Sequence, residues 1–139
     1  MAGAPFRLCF RLGERAAHEG ASPVLAAEGD SKWTFFDGNW HAGNAPIMGA
    51  RTHAVWLGSM VFDGARAFEG VTPDLDLHCE RVIASAHVLG LAPMLTAGEI
   101  LELAIDGIAR FPAGAALYIR PMFFAEEGWV MPDPASTAF

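Results

Sequence analysis

The stretch that most constrains this chain is residues 115–124, an apolar run broken only by Tyr118 and Arg120. Read as a strand, its two-residue alternation sets Tyr118, Arg120, Met122 and Phe124 on one side. Pro121 offers no N–H to a neighbouring strand, which predicts an edge or a bulge there. A tyrosine hydroxyl and a guanidinium fork on one face of an apolar strand can clamp a carboxylate together. The same two side chains can also snorkel to solvent from an edge strand.

Residues 60–70 repeat the pattern. Phe62, Gly64, Arg66 and Phe68 share one face of an extended segment, and Val61, Asp63, Ala65 and Ala67 the other. Gly64 permits close backbone approach. Arg66 fits either an anionic ligand or a structural ion pair with Asp63 or Glu69. After Thr72-Pro73-Asp74 the spacing predicts a helix of about four turns, capped by Asp76, striped by Cys79, Val82, Ile83, Ala86 and Leu89, and ended by Gly90. Arg81 lies toward its other side, near His78 and Ser85. It reads as a solvated partner of Glu80 or a nearby acid, or as an anion ligand close to free helix amides. Thr96-Ala97-Gly98-Glu99 is a capping box opening a second helix with Ile100, Leu103, Ala104, Ile108 and Phe111 on its stripe.

Upstream, residues 33–36, Asp37-Gly38 and residues 39–41 read as a hairpin with a two-residue turn. The form of residues 52–59 stays open. Residues 125–139, with Gly128, Pro132 and Pro134, show no period and read as a loop. Residues 1–31, with Arg7, Arg11 and Arg15 among Ala and Gly, read as an atypical, poorly ordered extension.

At 139 residues the chain is one domain by length, and 53% hydrophobic against 18% charged residues gives ample material for a core. Its net charge of -7 gives no general attraction to nucleic acid or acidic membranes, which favours a small-molecule role. No apolar run approaches the roughly 20 residues of a membrane helix. Cys9 and Cys79 build no disulfide framework and fit a reducing, cytoplasmic setting. His18, His41, His53, His78 and His87 lack zinc-ligand spacing, and phosphate-loop, dinucleotide and serine-elbow motifs are missing. Cys79 on an apolar stripe is expected to be core rather than nucleophile. Trp33, Trp40, Trp56 and Trp129 are expected to be buried. Eight arginines stand against a single lysine, Lys32.

Taken in order, four segments resemble the class IV pyridoxal-phosphate aminotransferases, and most of all the branched-chain amino acid aminotransferases. They are Trp33-Thr34-Phe35-Phe36-Asp37-Gly38-Asn39-Trp40, the block from His53 to Arg66, His78-Cys79-Glu80-Arg81-Val82, and Leu117-Tyr118-Ile119-Arg120-Pro121. The resemblance covers residues 33 to about 130. It implies an α+β fold, the small N-terminal domain of that family, with an antiparallel sheet and about two helices against it. Residues 32–125 would be that domain and residues 126–139 the start of an interdomain segment, cut short.

The resemblance also implies roles. Arg81 would bind the cofactor phosphate. Tyr118 and Arg120 would recognise the substrate carboxylate, Phe62 and Gly64 would line the side-chain pocket, and Arg66 is a weaker carry-over. Residues 128–131 resemble the loop that reaches a neighbouring subunit, so a homodimer is implied. The partners would be an amino acid and a 2-oxo acid. The family's Schiff-base lysine is expected in the second half, beyond Phe139, so no catalytic residue is assigned and the 139 residues are expected to be inactive alone, as a fragment. A D-amino acid aminotransferase, an aminodeoxychorismate lyase and a non-catalytic dimerisation module are the alternatives.

Overall fold

A computed structural model describes residues 8–10, as backbone, and residues 32–139. Three of the residues expected in the N-terminal extension, Leu8–Phe10, form a strand, β1. The rest of that extension lies outside the described residues. β2 (Trp33–Phe36) and β3 (Asn39–Ala42) pair antiparallel with Phe36 opposite Asn39. Their turn residues Asp37 and Gly38 have φ of 50° and 76°, the two positive angles that the Asp-Gly signal predicts.

A short helix, α1 (His53–Leu57), precedes β4 (Met60–Phe62) and β5 (Ala65–Ala67). Two longer helices follow, α2 (Leu75–Val88) and α3 (Ala97–Ile108), then β6 (Leu117–Ala125) and a closing β7 (Thr137–Ala138). Among the described residues every strand pairing is antiparallel, and the main path runs β3-β2-β1-β6-β4, with β5 and β7 also on β6.

β6 therefore lies inside the sheet, which corrects the edge reading of Pro121. The proline is tolerated because its missing N–H points toward the gap between β4 and β5, where its carbonyl accepts from the Asp63 N–H at 3.1 Å. Residues 126–139 are likewise more than a loop. The Asp133 side chain caps a 3₁₀ turn, Pro134–Ser136, and β7 then returns to β6, leaving Phe139 buried with its ring 4.8 Å from that of Phe123.

The main core lies between α2, α3 and one sheet face. Cys79, Val82 and Ala86 meet Ile100 and Ala104 over Leu117, Ile119, Phe123 and Ala125. The Thr96 and Glu99 capping box forms as expected, whereas α2 starts earlier, with Asp74 rather than Asp76 at its N-cap. The hairpin is tied to α3 by Trp40, whose Nε1 donates to Asp106 at 2.6 Å, while the Arg110 guanidinium stacks over Trp33 and Trp40 and bonds the same carboxylate. On the other face Ala54, Met122, Phe124 and Ala138 form a smaller cluster beneath α1. None of the four tryptophans is fully buried as expected: Trp33 and Trp40 are half-buried, Trp56 is 50% and Trp129 81% exposed.

Candidate functional site

Strand register assembles most of the site residues. Arg66 stands opposite Tyr118, and Phe62 opposite Met122. Even-numbered residues of residues 60–66 and 118–124 thus share the face away from the main helices; the alternation predicted the sharing within each segment, and the register joins the two. The Arg120 guanidinium lies 5.6 Å from the Phe62 ring centroid, a cation–π arrangement. Between β4 and β5 the chain passes under Tyr118 so closely that a Cβ on Gly64 would fall 2.5 Å from the phenol oxygen and 2.9 Å from a ring carbon. Gly64 is the seat of Tyr118. Phe62 and Arg66 stay exposed, while Tyr118 and Arg120 are half-buried, so the face is an open floor.

Arg81 comes to the same break in the sheet from the helix side. Its Nε donates to Asp63 Oδ2 at 2.9 Å and one Nη to Oδ1 at 3.3 Å. Its partner is therefore Asp63 rather than Glu80, since adjacent residues on a helix point apart. Asp63 is equally not the partner of Arg66, because 63 and 66 fall on opposite faces of the extended segment. His78, one turn before Arg81, lies beside both: its Nδ1 is 2.7 Å from Asp63 Oδ1 and 2.6 Å from the arginine, close enough to donate to the carboxylate or accept from the guanidinium, one at a time. Neither Asp63 nor His78 stood out as a site residue in the sequence. The i,i+3 spacing of His78 and Arg81 was the available signal.

Burial would raise the Asp63 pKa, but the hydrogen bonds and positive charge of Arg81 and His78 outweigh it and hold the carboxyl below its ordinary 3.8. A carboxyl depressed by folding contributes stability above its unfolded pKa and loses it as pH falls through the lower folded value. Urea midpoints taken from about pH 5 down to about pH 2 should fall on this account. Asp63→Asn should flatten that acid limb, and an unchanged limb would show the cluster carries no linkage. Burial likewise pushes the Cys79 thiol up to about 11, helped by the Asp76 and Asp63 charges, as befits a core residue.

Beside this floor, α1 is fastened to residues 126–131. Buried His53 contacts Ser59 Oγ through Nδ1 at 2.7 Å and the Trp129 carbonyl through Nε2 at 3.2 Å. A carbonyl only accepts, so Nε2 carries the proton shared there. The His53 backbone N–H also donates to the Glu126 carbonyl at 2.9 Å. Trp56 packs edge-on to both His53 and Trp129. With Arg51 and Gly128 the two indoles line a hollow of about 330 Å³. His53 is a structural hub that sequence spacing alone does not reveal.

No protein-family model matches the chain. A curated relative, a probable branched-chain-amino-acid aminotransferase of Rickettsia typhi, is 34% identical over 90 residues, which are 63% of this chain and 31% of that protein. An aminotransferase from Brucella abortus, solved with its cofactor PLP, is 52% identical, with a TM-score of 0.74 over 76% of this chain and 39% of its own. The branched-chain amino acid aminotransferase of Escherichia coli is 25% identical, with a TM-score of 0.65 over 72% of this chain and 35% of its own. The chain spans about a third of the length of the relatives it matches. In sequence and in fold it is similar to the class IV pyridoxal-phosphate aminotransferases of the branched-chain type, and it carries the α+β architecture of their N-terminal domain.

Proposed function

We propose that this chain forms the substrate floor and phosphate arm of an aminotransferase that moves an amino group between a branched-chain L-amino acid and 2-oxoglutarate. The observation that carries the reading is the single face shared by Phe62, Gly64, Arg66, Tyr118 and Arg120. Tyr118 and Arg120 would take the substrate carboxylate by hydrogen bond and charge. Phe62 and the bare Gly64 would give the side chain an apolar wall, with Arg66 at its rim.

The donor set fits the phosphate end of pyridoxal phosphate. Asp63 occupies the Nε edge of Arg81, and the guanidinium has further N–H groups beyond the two bonds to that carboxylate. When bound, the cofactor supplies an aldehyde for the amino group and a ring that draws electrons from the α-carbon. A lysine amine must meet that aldehyde, and Lys32, the sole lysine, is buried at the entrance to β2. We infer that the 139 residues do not turn over alone and that the amine comes from another part of a longer protein. The exposed Val55, Trp56, Leu57, Trp129, Val130 and Met131 are, in this reading, surface that faces a second subunit in a cytoplasmic homodimer.

The test is a split between two substitutions in an enzyme that joins this segment to a lysine-bearing second portion. Arg81→Ala should weaken retention of pyridoxal phosphate by about 10- to 100-fold, the loss of charged hydrogen bonds, with a smaller change in amino acid KM. Arg120→Ala should instead raise the KM for 2-oxoglutarate and spare cofactor retention, read as absorbance left after dialysis. Equal effects of both on both reject the division of labour. Activity confined to D-alanine or aminodeoxychorismate, with none on leucine or valine, rejects the substrate.

A further inference from the structure

We propose that Asp63, with His78, is a positioning residue for Arg81: it holds the guanidinium ready for a phosphate while belonging to neither the phosphate nor the substrate contacts. This rests on the reading of Arg81 as the phosphate-side residue. The side chain of Arg81 is 53% exposed, and an exposed arginine samples many rotamers. Here it does not hang free. Nε and one Nη close side-on upon Asp63, and His78 Nδ1 touches both partners. Asp63 is fixed in turn, because its backbone N–H is bonded to the Pro121 carbonyl in the strand that carries Tyr118 and Arg120. The phosphate arm is thereby referenced to the substrate strand through one short linkage.

Two physical effects of Asp63 oppose each other, and the sign of the outcome separates them. Its negative charge lowers the positive potential near Arg81, so by charge alone Asp63→Asn would tighten an anion. Its hold on the guanidinium removes rotamer freedom that an anion would otherwise have to freeze, so by positioning Asp63→Asn loosens the anion. The geometry, with two bonds on one guanidinium edge and further N–H groups beyond them, points to the second.

The experiment uses the 139-residue chain, nitrogen-15 labelled, with inorganic phosphate as probe and the arginine Nε–H resonances as readout. Arg81→Ala identifies the Arg81 signal, which should respond to phosphate in the unsubstituted chain. Asp63→Asn should move that signal toward the free-arginine position and weaken phosphate about two- to tenfold, the cost of one side chain immobilised again. Asp63→Glu should recover most of the affinity, and His78→Gln should weaken it less than Asp63→Asn. If Asp63→Asn fails to fold, Asp63→Ser takes its place with the same expected loss, and an affinity within error of the unsubstituted chain overturns the proposal. Phosphate bound equally well or better by Asp63→Asn, while Arg81→Ala abolishes binding, overturns the positioning role and leaves the phosphate reading intact. Phosphate that leaves the Arg81 signal unmoved, or that binds Arg81→Ala as tightly, overturns the phosphate reading and this inference with it.

Discussion

Phe123→Ala should lower the unfolding free energy by about 3–5 kcal/mol, the range for truncating a fully buried aromatic. Phe123 is 1% exposed and sits opposite Val61 in the register of β6 with β4. It packs in the main core and against the ring of Phe139. Removing it opens a cavity where the core meets the returning C-terminal strand, and close-packed surroundings collapse only in part. Against a typical total of about 5–15 kcal/mol, such a loss moves the urea midpoint far. Val88→Ala is the control, since Val88 is 90% exposed and should change stability by about 0.5 kcal/mol at most. A Phe123→Ala loss under about 1 kcal/mol would mean this face of β6 is not the core.

That core was legible because its signals are local. The alternation in residues 115–124 and in residues 60–70 separates the side chains of the two faces, and the pairings of Arg66 with Tyr118 and Val61 with Phe123 keep that parity across strands. The Asp-Gly turn and the Thr96 and Glu99 box are equally short-range, and both form. Neighbours distant in the chain were not legible. Pro121 reads as an edge or bulge residue because nothing nearby states that, among the described residues, four strands pair with β6, or that its missing N–H faces a gap. A two-residue strand such as β7 is too short to show a period, although Asp133 before Pro134 is a helix-start signal that could have marked the turn ahead of it. The same holds at the site. Parity paired Tyr118 with Arg120 and Phe62 with Gly64, each within its own segment, but only the folded chain joins the two segments and brings Asp63 to Arg81 across 18 positions.

Gly128→Ala should be more damaging than Gly38→Ala, costing about 2 kcal/mol or more. Gly128 has φ of 151°, a backbone state that L side chains rarely adopt, and an added Cβ would lie 2.5 Å from the Met131 carbonyl oxygen and 2.7 Å from the His53 ring. Neither obstacle yields easily. The carbonyl belongs to backbone that accepts the Trp129 N–H at 3.2 Å, and His53 is held at both ring nitrogens. Gly38→Ala supplies the comparison, because Gly38 also has positive φ, at 76°, but nothing lies within 4 Å of the added carbon. Its penalty should be backbone strain alone, about 1 kcal/mol. The difference between the two urea midpoints then measures the cost of the His53 and Met131 obstacles together with the harsher backbone strain at φ of 151°. Because the disturbed backbone carries Trp129, whose indole packs edge-on to Trp56, Gly128→Ala should also shift tryptophan emission before the main transition, and Gly38→Ala should not. Equal midpoints for the two substitutions would mean that residues 126–131 rest on α1 without being braced by it.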